Sequence, residues 1–444
     1  MRNCLRWYFK VSVVVRIFIS FLVGAGIGIA LWYYSAKTDS HLTEKIIPWI
    51  NPFGEVFVNM MKMIVVPIIF FSLVVGTASL PIRRFGRVGL KVIGWYVFTS
   101  FLAAILGTFL ALLINPASGT ELNEWNKIAA IGGQQSTETI RQTNLGQSFS
   151  QLLLGMFKNP FEALATSNFL AIIIFSILFG LAIRIIAEKA GDKKNISRLE
   201  TLEDVFTACQ NAVFKIVDWI LEYSPIGVLA LTITNFGLYG VKIVGPYVSI
   251  TIGVITGILV MIFIVYSALL FIFTRQNPYV LFKKIKEPML MAFVTRSSGA
   301  TLPVTMKTAT TNLRIRSELS GFSLPLGATI NMDGVCVHLP MYAVLAANMF
   351  GIKLTAVSLV ILVITTVLAS IGAGGVPGGS LMLLFIVLEA LGLNGQQVAV
   401  IVSLAMAINP ILDMFETTNN VTGDMACTYI VAKKEGLLEP EAAS

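Results

Sequence analysis

The sequence predicts an all-α polytopic membrane protein, and three observations carry that prediction. Of 444 residues, 56% are hydrophobic and only 13% charged, about half the roughly 25% charged residues of a soluble domain. Apolar runs long enough to cross a bilayer, which takes about 20 residues each, recur at 11–34, 53–80, 90–114, 166–187, 205–234 and 244–273. Beyond these the apolar pattern continues, but Gly, Pro, Ser and Asn interrupt it at a few defined points.

The first run follows Arg2, Arg6 and Lys10 and continues through Trp32, Tyr33 and Tyr34 without a small-residue cleavage site, so it reads as a retained signal-anchor helix. A net charge of +8 could point to nucleic acid, but its distribution is a topology signal. Bases cluster before the first run, after the second (Arg83, Arg84, Arg87, Lys91), after the fourth (Lys189, Lys193, Lys194, Arg198) and after the sixth (Lys283, Lys284, Lys286). The intervening stretches 35–50 and 116–150 carry acids as well. The positive-inside rule therefore places the N-terminus in the cytoplasm and makes the polar stretch 116–150 a long outer loop. Cys4, Cys209, Cys336 and Cys427 have no metal or pairing spacing and read as packed thiols.

The C-terminal third is expected to hold the function. "TRSSGATLP" (295–303), "NMDG" (331–334) and "SIGAGGVPGGS" (370–380) each break an apolar stretch. Unpaired backbone groups are costly in hydrocarbon, so such breaks belong where protein or a wet cavity covers them. The order of hairpin-like break, interrupted helix, hairpin-like break and polar helix reads as a repeat, and repeated broken segments point to a transporter site near the bilayer midplane. The last helix carries Asp413, Glu416 and Asp424 between apolar flanks. Asp413, Glu416 and Asn420 lie three and four residues apart and share a face that Asp424 continues.

"TRSSGATLPVT", "ATINMDG", "GAGGVPGGS" and "LDM…TTNNVTGD" together resemble the dicarboxylate/amino acid:cation symporter family, over nearly the whole chain. The resemblance implies a homotrimer of eight transmembrane helices and two re-entrant hairpins, built from inverted repeats and working as an elevator in the cell's inner membrane, with both termini cytoplasmic. It implies a scaffold of 1–80 and 161–235, an outer loop of 116–160, a moving transport domain of 81–115 and 236–434, and a cytoplasmic tail of 435–444. Lipid is then the surrounding partner, and no nucleic acid is involved.

The coupled ion implied is Na⁺. Sodium is a hard cation that takes oxygen ligands, as calcium and magnesium do, and the short oxygen-bearing side chains beside the breaks can supply them. By resemblance, Asn331, Asn420 and Asp424 form one site, and Tyr96, Thr99, Ser100, Asn331 and Asp333 a second. Backbone oxygens near Thr329, Met332, Ser370, Ile371 and Ala373 form a third. The alternative is that Asp333 and Asp424 are helix caps, and that the 96–100 hydroxyls are ordinary helix polars.

An amino acid would find its carboxylate held at the hairpin tips, where helix N-termini offer N–H groups to an anion. The residues matching these clamps are Ser297, Ser298 and Gly299 at the first tip, and Val376, Pro377, Gly378 and Ser380 at the second. Asn420 adds an amide donor, Asp413 matches the residue that holds the amine, and Thr417 faces the same site. The departures concern the side chain. Acidic-substrate members carry an arginine where this chain has Glu416, and a threonine where it has Val335.

Glu416 would repel a carboxylate, so the expected substrate is a basic amino acid paired with Glu416. The alternatives are a neutral amino acid, with Glu416 neutralised by Arg296, and then an acidic one. Bracing Asp413 across the hairpin is the other role expected of Arg296. An ion channel would also place acids at midplane, but would need selectivity rings rather than clamps for both ends of an amino acid. An enzyme would need a nucleophile and base; His41 lies in an outer loop, and His338 is a lone histidine on an apolar stretch, expected to be packed.

Overall fold

The computed structural model describes residues 11–38, 42–78, 82–117, 154, 156–166, 168–189, 193–372 and 375–440. The first half consists of α1 (Val13–Thr38), α2 (Leu42–Ala78), α3 (Ile82–Ile114), the short α4 (Pro160–Thr166), α5 (Phe169–Lys189) and α6 (Lys193–Tyr239). A 3-10 turn, Gly240–Ile243, leads into α7 (Val244–Val260), a wider π-type turn at Met261–Tyr266, and α8 (Ser267–Thr274). There follow α9 (Pro278–Lys284), α10 (Lys286–Thr295), α11 (Ser298–Thr311), α12 (Ser317–Ile330), α13 (Asp333–Phe350), α14 (Ala356–Ser370), α15 (Gly379–Ala390) and α16 (Gly395–Lys434). The described residues contain no strand beyond an isolated bridge between Ile315 and Leu438.

Seven stretches among the described residues are long and apolar enough to cross a bilayer, one of them running from Ser197 to Thr274; α14 and α15 are shorter. The expected runs fall on α1, α2, α3, α5, α6 and α7–α8. The fifth, expected from 205, begins as helix at Lys193, because "NISRLETLED" has helical propensity that a search for apolar runs does not register. Of the stretch 116–160, expected as an outer loop, residues 116–117, 154 and 156–160 are described. Cys209, Cys336 and Cys427 are free thiols. Cys4, His41, the bases Arg2, Arg6 and Lys10, and Ala373 lie outside the described residues.

Two packing groups emerge. In one, α2 runs along α5 and α6, and α1 along α6. Small residues allow the backbones to close: a Cβ at Gly180 would lie 2.0 Å from Thr77 Oγ1 and 2.6 Å from the Val74 carbonyl oxygen. In the other, α3 packs on α13, and α13 and α16 run through the middle, touching α7, α10, α11, α12, α14 and α15. The most apolar window of α1 is only 22% buried, whereas that of α12–α13 is 94% buried. The outer helix therefore offers Val15, Phe18 and Leu22 to its surroundings, and the broken helix is the centre.

The interruptions lie as the sequence ordered them. α10 and α11 form one hairpin, α12 and α13 are one helix broken at Asn331–Met332, and α14 and α15 form the second hairpin. The hairpin tips meet: Gly299 N–H donates to the Gly375 carbonyl at 3.3 Å, and Ser297 Oγ donates to the same oxygen at 2.8 Å.

Candidate substrate and cation sites

The break between α12 and α13 is made by Asn331 (φ −100°, ψ 83°) and Met332 (φ −112°, ψ 56°), neither of them helical. Asn331 and Asp333 are fully buried there, so their polar atoms need partners inside the protein. Ser100 Oγ on α3 donates to Asp333 Oδ1 at 2.7 Å, and Thr99 Oγ1 reaches Asn331 Oδ1 at 3.3 Å. Asn331 Nδ2 donates to Asp424 Oδ1 on α16 at 2.9 Å. Tyr96 OH donates to the Ser323 carbonyl at 2.9 Å and lies 3.3 Å from Thr428 Oγ1. A Cβ at Gly327 would strike Asp424 Oδ1 at 2.4 Å and Tyr96 OH at 2.8 Å, so the α12 backbone itself admits both groups.

Asp333 and Asp424 thus accept from side chains on other helices rather than capping their own; the Thr99 and Ser100 hydroxyls reach the break, while Tyr96 OH bonds the α12 backbone at Ser323. Carboxylate, amide and hydroxyl oxygens converge in a buried site, a donor set that suits a hard cation. Among the described residues no cluster of three or more His, Cys, Asp or Glu forms a metal centre of another kind. Of the third expected set, Met332 is buried and Thr329 half-buried at the end of α12. Ser370 is buried, with Oγ donating to the Val367 carbonyl at 2.8 Å, and Ile371 is half-buried.

Beside the break, a cavity of about 20 Å³ is lined by Arg296, Ser298, Met332, Val335, Gly375, Val376, Gly379, Ser380, Asp413, Glu416, Thr417 and Asn420. Of the expected substrate contacts, Ser297, Gly299, Pro377 and Gly378 do not line it; they shape the tips. The space accommodates about one water, so an amino acid enters only if a tip moves. Asp413 Oδ2 accepts the Gly378 N–H at 3.0 Å and lies 3.9 Å from Arg296 Nη1. Ser380 Oγ reaches Asn409 Oδ1 at 3.4 Å. Asn420 Oδ1 accepts the Gly334 N–H at 2.7 Å, and its Nδ2 lies 3.2 Å from Met332 Sδ. The amide expected to meet a substrate carboxylate is therefore partly committed to the break.

The sequence reading of Glu416 needs correction. Glu416 is not paired with Arg296. Its Oε1 meets Nδ1 of His338, and both side chains are buried. His338, read as a lone packed histidine, is a partner; Arg296 is the group beside Asp413. Each pocket carboxylate thus has one basic side chain beside it, Arg296 near Asp413 and His338 against Glu416. Two further residues went unrecognised. Tyr266, at the end of the π-type turn, donates to Asp333 Oδ2 at 2.7 Å, and Asn419 Nδ2 donates to Tyr266 OH at 3.3 Å. "TTNN" offered a signal for Asn419; the apolar run around Tyr266 offered none.

Broken helices enclosing a cation-type oxygen set, next to a pocket closed by two hairpin tips, define a secondary transporter. The profile of the sodium:dicarboxylate symporter family matches residues 13–434, and the chain belongs to that family. It is 30% identical over 424 residues to a serine/threonine transporter of Bifidobacterium adolescentis, covering 94% of this chain and 89% of that one. It is 28% identical over 433 residues to a proton/sodium-glutamate symport protein of Bacillus caldotenax, covering 97% and 96%. It is 29% identical over 483 residues to the human neutral amino acid transporter B(0), covering 99% and 84%. The chain is a membrane transporter of an amino acid symport family, not an enzyme.

Proposed function

We propose that this chain is a sodium-driven symporter of small neutral amino acids. The observation that carries the reading is the buried Glu416–His338 pair. It puts a carboxylate where an acidic substrate needs a cation, and it gives that carboxylate a partner before any basic substrate arrives. A basic substrate is the first expectation from sequence, but none of the relatives named above carries a basic amino acid in its name. Glu416 in the pocket lining disfavours the acidic alternative by charge repulsion.

In this reading the amine of the substrate replaces the Gly378 N–H on Asp413, and its carboxylate lies between the tips near Ser298. Sodium binds among Tyr96, Thr99, Ser100, Asn331, Asp333, Asn420 and Asp424, with the backbone near Thr329, Met332, Ser370 and Ile371 as a third position. Each sodium carried inward contributes roughly 2.3 kcal/mol per 100 mV, apart from its concentration gradient. The group α1, α2, α5 and α6 is the scaffold of a trimer in the inner membrane, with both termini cytoplasmic. The group around α13 and α16, with α3, is the body that moves in an elevator of eight spans and two hairpins.

Uptake into proteoliposomes under an imposed sodium gradient, with competition by a panel of amino acids, tests this. Serine, threonine and alanine should compete while aspartate, glutamate, lysine and arginine do not, and Asp424→Asn should weaken both sodium and substrate affinity. Equal uptake without sodium under a proton gradient, or strongest competition by a charged amino acid, would overturn the reading. Passive flux without substrate coupling would instead indicate a channel.

A further inference from the structure

Amine, carboxylate and sodium recognition leave one buried group at the pocket without a task. His338 stands on α13, one turn beyond the pocket residue Val335, with no exposed surface. The Tyr342 ring packs on it, with centroids 4.8 Å apart at 61°. Its Nδ1 meets Glu416 Oε1 from α16. The contact is a close approach rather than a hydrogen bond, and both ring nitrogens and both carboxylate oxygens are buried without a hydrogen-bond partner. Oε1 is the oxygen nearest His338, which leaves Oε2, and Glu416 lines the pocket. A buried acceptor without a donor is costly, and the pocket is where a donor can arrive.

We propose that His338 is a positioning residue that sets side-chain choice: it holds one oxygen of Glu416, so that the other is offered to a hydroxyl on the substrate. This rests on the neutral amino acid reading above and narrows it to small hydroxyl-bearing side chains. A substrate O–H meets the orphaned oxygen. A methyl group in the same place leaves that oxygen desolvated and unpaired, and a carboxylate adds a second negative charge. Sites built to hydrogen-bond a substrate hydroxyl discriminate far more sharply against its absence than apolar pockets discriminate by size. Val335 and Met332 limit the length of what fits. Without the imidazole, Glu416 would lose the partner that fixes its orientation, and the acceptor would no longer be aimed.

The test is a competition ratio in proteoliposomes, read together with thermal stabilisation by sodium plus substrate. Wild type should be inhibited by serine and threonine about tenfold or more strongly than by alanine and valine, the scale of one satisfied hydrogen bond. His338→Leu should bring that ratio within about threefold of unity, while His338→Asn, which keeps an N–H near the Nδ1 position, retains most of it. A defect that is only structural would lower uptake of all substrates alike and leave the ratio intact. If His338→Leu does not fold, Glu416→Gln reads the same contact and should also collapse the ratio. An unchanged ratio in the folded variants, or a wild type that does not separate serine from alanine, overturns the role of His338 while leaving the neutral reading in place. Strongest inhibition by aspartate or lysine overturns both.

Discussion

The first hairpin turns at Arg296 and Ser297 and the second at Gly375 to Gly378, and different chemistry holds the two turns. Arg296 sits in the left-handed region (φ 55°), and Ser297 caps α11 with its Oγ, accepting the Ala300 N–H at 3.1 Å. Thr295 and Thr301 hydroxyls meet across the same turn at 3.0 Å. The second tip has no side-chain cap: Gly375 (φ 65°) and Gly378 (φ 77°) make the turn, and α15 starts uncapped. Its ties run outward, from the Gly375 carbonyl to Ser297 and Gly299 and from the Gly378 N–H to Asp413. One tip is held by its own side chains and the other by its neighbours, at least one of which, Asp413, a substrate amine can take over. In the transport cycle proposed above, the second tip is the gate.

The largest effect should come from Gly375→Ala. A Cβ there would lie 2.4 Å from the Ala328 carbonyl oxygen, in a backbone conformation that only glycine adopts readily. Substrate uptake should fall by about a hundredfold or more, equivalent to roughly 3 kcal/mol, in sodium-driven uptake assays. Near-normal uptake would mean that the second tip does not have to close as described.

Hydrogen exchange sharpens the contrast. Amides at 375–381 should become protected when sodium and substrate are added together, and those at 298–304 should change much less, because gates are drawn from the least stable parts of a fold. Equal protection at both tips would remove the distinction.

Ser297→Ala removes both the α11 cap and the hydroxyl bond to the second tip. A cap loss costs about 1 kcal/mol, and the substrate half-saturation should rise several-fold with faster exchange at 375–381. A larger loss than that of Gly375→Ala would reverse the ranking. The smallest functional effect should come from Thr355→Ala, which destroys the capping box with Ser358 at the far end of the second hairpin. Thermal stability should drop by about 1 kcal/mol with uptake unchanged; altered transport would show that the gate extends along all of α14.

The breaks were readable because Gly, Pro, Ser and Asn stand out in apolar sequence, and the stripe of Asp413, Glu416, Asn420 and Asp424 was readable because helical spacing puts them on one face. All four are buried. What escaped depended on contacts between helices. Nothing in "MIFIVY" marks a π-type turn that carries Tyr266 to Asp333. Nothing local to His338 or to Glu416 says that α13 and α16 bring them together; the acid alone invited a cationic substrate, and only the packed structure supplies its partner.

In the proposed transport cycle, the small pocket would also act as electrical insulation. A continuous file of water through the protein would let protons and cations short-circuit the gradient that drives uptake, each charge dissipating roughly 2.3 kcal/mol per 100 mV. A cavity of about 20 Å³ has room for about one water, between an acid already beside Arg296 and an acid already against His338. If one closure serves both leak resistance and gating, a substitution that props the tips apart should make liposomes carrying the protein ion-permeable as well as slow to accumulate substrate.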